Sequence, residues 1–178
     1  KETQMCAPTF VRDLKIYSDG QYMELDINTR RNLELTETER RREKKGSLLW
    51  VLDKTKTSMG KRLIRQWISQ PLMDRMALET RYNGVDEFSD NIVLLGEVRE
   101  LLAGVHDVER LMTKIVYGTA NAKDLRAICD SIAILPDLKA TLAPVTSPRM
   151  QEILSSFDTL EDLRTLLSSI IHYMKKYD

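Results

Sequence analysis

The sequence predicts a mainly α, multi-helical domain with one small N-terminal β-hairpin. Three observations lead there. Seven Gly and five Pro among 178 residues are too few for a turn-rich all-β fold. Eight Met against three Phe and two Trp point to an aliphatic core built by helices. Apolar residues also recur at three- and four-residue spacing through most of the chain after Gly46.

The hairpin comes first. Leu14, Ile16, Tyr22, Met23 and Leu25 flank Ser18-Asp19-Gly20, and Asp-Gly between two apolar runs is a hairpin signal. Strands are expected at about 12–17 and 21–26. The next stretch, DINTRRNLEL over 26–35, leaves a short helix and a loop open. TETERRREKKG over 36–46 is polar throughout and reads as a solvated loop or a frayed helix.

The helices follow. Ser47 can cap a short helix ending near Asp53, and Thr57 or Ser58 caps the next, which Pro71 stops. Asp74 caps a helix with the stripe Leu78, Tyr82, Val85 and Phe88. A helix over about 91–102 ends at Gly104. Val105 to Ile115 carries a further short stripe, and Tyr117 to Ala122 is a break. Leu125, Ile128, Ile132 and Leu135 mark the next helix, with Pro136 as its stop, and Leu138 and Leu142 add one more turn. Ser147-Pro148 reopens a helix with Pro at its first position. Leu160, Leu163, Leu167, Ile170, Ile171 and Met174 then run to the end without a stop signal. Three regions are expected: an N-terminal segment with the hairpin over 1–26, a helical core over 27–157, and the start of a long helix over 158–178.

Lys plus Arg and Asp plus Glu both number 27, so the formal net charge is zero. That argues against a strongly basic nucleic-acid domain. Cys6 and Cys129 are far apart and have no CxxC spacing, which favours a reducing compartment. No apolar run approaches a membrane span, and Lys1 to Phe10 lacks the apolar stretch of a signal peptide. Without an initiator Met, the chain reads as an excised piece.

The search for chemistry finds no enzyme. His106 and His172 have no Cys or carboxylate at metal-ligand spacing. Cys129 sits on an apolar helix face and reads as a small core residue. No phosphate-binding GxxxxGK[ST], GxGxxG, GxSxG or HExxH occurs. Asp107 with Glu109, and Asp158 with Glu161, stand where helices begin and complement the helix dipole. Trp50 and Trp67 lie in apolar stripes and are expected in the core. Arg30-Arg31 beside Asp26 could form a buried ion network. Arg40, Arg41, Arg42, Lys44 and Lys45 could touch DNA phosphates weakly. Their interleaved glutamates, and the lack of aromatic residues to stack bases, favour a solvated loop instead. Pattern alone gives a non-enzymatic helical domain, with an autonomous, non-specific DNA-binding module as the alternative.

The motifs say more. MELDINTRRNLEL over 23–35 resembles the opening of the core domain, domain III, of the MutS family of DNA mismatch-repair proteins. The resemblance continues through GSLLWVLDKTKTSMGKRLIRQWISQPL over 46–72, DVERLMTKIVYGTANAKDL over 107–125 and LPDLK over 135–139. Four motifs in order cover most of residues 11–142, and TRRNLEL and GTANAKDL look bacterial. One departure is the proline pair that such relatives carry soon after the position of Ile170; here the chain reads IIHYMKKYD.

The resemblance implies a structural and allosteric core that links ATPase state to a DNA clamp and to mismatch recognition, with no catalysis in this segment. The family's mismatch-reading Phe-x-Glu and its Walker A loop are absent from these residues. No catalytic, cofactor-binding or metal residue is therefore carried over, and ATP and Mg would belong to the parent protein. The implied partners are mismatched double-stranded DNA through the parent, the connector, clamp and ATPase domains, a second MutS subunit and MutL. The implied location is the bacterial cytoplasm, at the nucleoid. Residues 158–178 would begin the lever helix. Its returning partner helices are missing here, so its apolar stripe is expected to stay partly exposed.

Overall fold

The structure is a computed structural model that describes residues 20–177, the side chains of 172 and 174–177 aside. Ten helices follow one another among these residues. Helix α1 (Ile27–Asn32) is capped by Asp26, whose carboxylate accepts from the Thr29 amide at 2.6 Å. That resolves the short helix left open over 26–35. Helix α2 (Leu48–Leu52) is capped by Ser47, α3 (Ser58–Ser69) by Thr57 and α4 (Arg75–Asp90) by Asp74. Each cap accepts a hydrogen bond from an amide of the first turn, which would otherwise have no partner.

Asn91 caps α5 (Ile92–Ala103), and Gly104 ends it. Helix α6 (Val108–Val116) starts at Asp107. Helix α7 (Ala122–Ala133) opens with a reciprocal capping box between Asn121 and Asp124. Helix α8 (Leu135–Leu142) corrects the reading of Pro136. That proline ends nothing by itself: it sits in the first turn of α8, where its missing N–H costs no hydrogen bond. Pro148 likewise opens α9 (Pro148–Ser155), and α10 (Glu161–Tyr177) follows.

The expected hairpin is not formed among the described residues. Its first strand, 12–17, lies outside them. Tyr22 of the second makes one isolated antiparallel bridge to Leu72, just after α3. The Met23 amide donates to the Pro71 carbonyl at 2.8 Å, and the Met73 amide to the Gln21 carbonyl at 3.1 Å. Among the described residues, 21–23 pair with the chain that follows α3.

Three apolar clusters hold the helices. Leu35, Leu49 and Ile68 join α2, α3 and the end of the α1 turn. Leu94, Val98, Leu138, Leu142 and Val145 join α5 to α8, with Phe88 of α4 and Met150 and Leu154 of α9 packed against them. Leu111, Ile128, Cys129, Ile132, Leu167 and Ile171 join α6, α7 and α10. Cys129 is buried, as expected, with its Sγ 3.3 Å from Ser168 Oγ.

Helix α10 meets expectation in part. Helix α7 covers one side of its stripe, where Leu167 and Ile171 are buried and Leu160 and Leu163 partly so. Ile170 of the stripe stays exposed, as do Leu166 and Tyr173 outside it. Met174 of the stripe falls outside the described side chains. The two tryptophans also differ from expectation, since Trp50 is 47% and Trp67 39% exposed. A five-residue α2 can turn only one residue, Leu49, fully inward, so Trp50 is left outside. No helix among the described residues is long and apolar enough to cross a membrane.

Candidate functional site

The basic run Arg40 to Lys45 forms a tight turn in front of α2. The Thr38 amide donates to the Glu43 carbonyl at 2.9 Å, and the Arg42 amide to the Thr38 carbonyl at 3.0 Å. Closing that loop puts Arg42 at φ +52° and Gly46 at φ +99°. Arg40, Arg41, Arg42, Lys44 and Lys45 all come out exposed. They are not equivalent. The Lys44 ammonium is bonded to Asp53 at the end of α2, a carboxylate whose side chain is only 4% exposed. The Lys44 hydrogen bond, followed by that of Thr55, holds the Asp53 carboxyl at about 2, below its usual 3.8. Lys44 therefore anchors the turn. Arg40, Arg41, Arg42 and Lys45 make no ion pair among the described residues and remain available to an anion.

Arg30 and Arg31 form no buried network with Asp26. Both are exposed on the short α1, and the Arg30 Nε donates to the Leu25 carbonyl at 2.9 Å while Asp26 is occupied as the cap.

The Asp107–Glu109 pair does more than complement a helix dipole. Arg62 of α3 reaches both carboxylates at the start of α6. Its Nη1 and Nη2 donate to Asp107 at 2.9 and 2.7 Å, and its Nε and Nη2 donate to Glu109 Oε2 at 2.9 and 2.6 Å. A planar guanidinium makes these four bonds from one rigid fork, whereas a lysine ammonium has only three donors. The two partners, Asp107 first, raise Arg62 above the usual arginine range, and Arg62 lowers Asp107. Spacing could not reveal this clasp, because its partners lie about 45 residues apart. In the other pair the roles are local: Asp158 accepts from the Leu160 amide at 2.9 Å, and Glu161 from Arg164 at 3.1 Å.

A second cross-link was also invisible in sequence. Glu87, on α4, accepts from the Thr146 amide, from Thr146 Oγ1 at 3.0 Å and from the Ser147 amide at 2.9 Å. It thereby caps α9 from another helix, where Ser147 itself supplies no side-chain cap. Partial burial raises the Glu87 carboxyl, but hydrogen bonds from Ser147 and Thr146 outweigh it and hold it at about 2, against a usual 4.5.

The structure also has a groove of about 750 Å³. Its floor is a face of α4, its walls are α3 and α9, and its lining is mostly apolar. Arg81 crosses it, with the guanidinium 3.9 Å from the centre of the Trp67 ring. This stacking explains why Trp67 is outside the core. His106 is exposed, and its amide, not its ring, bonds Ser131 Oγ at 3.0 Å. Among the described residues no group of three His, Cys, Asp or Glu side chains could hold a metal ion.

Known proteins are similar to this chain along almost its whole length. The family model described as MutS domain III matches residues 28–177. The DNA mismatch repair protein MutS of Clostridium novyi is 46% identical over 170 residues, which is 96% of this chain and 19% of that protein. The proteins of that name from Alkaliphilus oremlandii and Halothermothrix orenii are 44% and 46% identical over 171 residues, with the same shares covered. The chain thus spans about a fifth of the length of these relatives. With nine-tenths of the described helices inside the matched region, from α2 to α10, the chain belongs to the MutS domain III family.

Proposed function

We propose that this chain is the structural and allosteric core of a MutS-type mismatch-repair ATPase. In that role it relays nucleotide state from an ATPase domain to a DNA clamp and to mismatch recognition, and performs no catalysis itself. ATP and Mg act in the parent protein. Mismatched duplex DNA, the connector, clamp and ATPase domains, a second subunit and MutL are partners of the parent, at the bacterial nucleoid in the cytoplasm.

The observation that carries this reading is the pair of side-chain links between distant elements. Arg62 ties α3 to α6, and Glu87 ties α4 to α9. Packed helices joined in this way move as rigid bodies, so a shift at one end reaches the other. A coupling role requires that breaking one link alters communication more than binding.

The test uses a full-length protein carrying this segment with Arg62→Ala. Mismatch affinity should stay within about twofold, while ATP-induced release from DNA changes by about tenfold, a coupling of roughly 1.4 kcal/mol. Unchanged ATP-induced release in a folded variant would remove the relay role.

The four unpaired cations of the 40–45 turn support a second, lesser reading, a peripheral phosphate contact. Its affinity is weak, indifferent to mismatches and lost with salt.

A further inference from the structure

The zero net charge hides an asymmetry. Residues 20–70, which contain α1 to α3, hold twelve Lys and Arg against seven Asp and Glu, a charge of +5. Residues 71–178 hold twelve against seventeen, a charge of −5. Among the described residues, the ion pairs of the α1–α3 unit use only its Lys44 and Arg62. A unit with such an excess of free cations attracts polyanions.

The run from Arg40 to Lys45 contains no aromatic residue, but the fold supplies one. Lys44 is bonded to Asp53, three residues after Trp50. The Asp53 amide still donates to the Leu49 carbonyl at 2.9 Å, so Asp53 continues the turn of α2. Residues three apart on a helix are neighbours on its surface. The Lys44 anchor therefore seats the basic turn beside Trp50. Lys54 reaches the same ring, with its Nζ 6.0 Å from the centroid. That is the outer limit of a cation–π contact. The ring keeps 47% of its residue's surface open to solvent. At about 100° per residue, Leu48 and Leu52 fall on the opposite side of α2, so Trp50 does not extend their apolar surface.

An exposed indole among unpaired cations is the combination that holds single strands: cations take the phosphates and the ring stacks a base. In a duplex the base faces are already stacked on one another, so only an unpaired base has a face to offer.

We propose that this face binds single-stranded DNA, with phosphates on Arg40, Arg41, Arg42 and Lys45 and one unpaired base stacked on Trp50. The inference rests on the phosphate-contact reading of the 40–45 turn, and adds the kind of strand and the base contact.

The test uses this chain with Trp67→Phe, which leaves Trp50 as the sole tryptophan. An oligothymidylate of about twelve nucleotides should quench Trp50 emission. Its affinity should fall with salt at a log–log slope of about −3, from roughly −0.7 for each of four phosphates. A duplex of equal length should bind about tenfold more weakly and leave the emission unchanged. In the parent chain, Trp50→Ala should lower single-strand affinity about tenfold, to the duplex level, and Trp50→Phe should retain most of it. Reversing Arg40, Arg41 and Arg42 to Glu should abolish binding of both strands. Equal affinities with no effect of Trp50→Ala would overturn the inference while the phosphate contact stands. No binding of either strand would end both. Tighter binding of an oligouridylate of the same length would assign the face to RNA and overturn the proposal. So would self-association that the three reversed arginines remove, which would assign the face to the acidic helices of a second copy. If circular dichroism shows that Trp50→Ala does not fold, quenching of Trp50 decides alone.

Discussion

Glu87 holds a loop 60 residues away in sequence, and Asp53 holds a basic turn through Lys44. Both carboxyls lie at about 2 in the folded protein, against 4.5 and 3.8 ordinarily. Their folded values are depressed, so their stabilisation is complete above the unfolded values and is lost as pH falls toward 2. Urea midpoints should therefore drop between about pH 4.5 and 2. In Glu87→Gln the drop should be shallower, and the gap from the parent should close at the acid end. A gap independent of pH would mean that the Glu87 charge does not stabilise the fold. Gly46 is a second sensitive residue. At φ +99° a side chain is strained, and a Cβ would lie 3.1 Å from Thr38 Cγ2. Gly46→Ala should lower stability by about 1–2 kcal/mol. Gly84→Ala, where a Cβ would meet nothing closer than Ser147 Oγ at 4.0 Å, should be neutral or stabilising; thermal melts compare the two. Neither carboxylate role was legible in sequence. An acid in mid-helix looks the same whether it faces water or caps a distant helix.

Helix boundaries were the most legible features, because they depend on local chemistry. The sequence marks Ser47 and Asp74 as caps, Thr57 or Ser58 as a third, Gly104 as a stop and Pro148 as a start; the structure has each there, with Thr57 as the third cap. Local signals fail where a contact is non-local. Trp50 and Trp67 had the right spacing for a core, yet burial depends on which neighbour covers a stripe. The α10 stripe shows the same limit: periodicity marks an apolar face without saying that α7, some 40 residues earlier, covers Leu167 and Ile171 and leaves Ile170 exposed. That pairing gives a sharp contrast. Leu167 is 7% exposed and Leu166, beside it, 55%. Leu167→Ala should cost about 2–5 kcal/mol, and Leu166→Ala less than about 0.5 kcal/mol. Equal losses in urea denaturation would show that α10 sits in another register on α7. The basic turn belongs to this scale too. Reversing Arg40, Arg41 and Arg42 to Glu should abolish any weak duplex binding measured by anisotropy. A preference for mismatched duplex would contradict the reading of these cations as phosphate contacts.

At the scale of the whole molecule the core is divided. The cluster around Leu35, Leu49 and Ile68 has three buried residues, against six in the α6–α7–α10 cluster. A buried aliphatic side chain contributes about 1.5–3 kcal/mol, so three fewer amount to roughly 4–9 kcal/mol as an upper bound. The α2–α3 unit should therefore open before α7 and α10 do, and hydrogen exchange should find its amides at least about a hundredfold less protected. The Arg62 clasp decides how independent the two units are. Its guanidinium is about half exposed, so salt screens it. Arg62→Ala, or molar salt, should speed exchange in α3 and at the start of α6, while the α7–α10 seam keeps its protection. If exchange instead rises uniformly across all three clusters, the molecule unfolds as one cooperative unit, and the clasp cannot be a joint between separately moving parts.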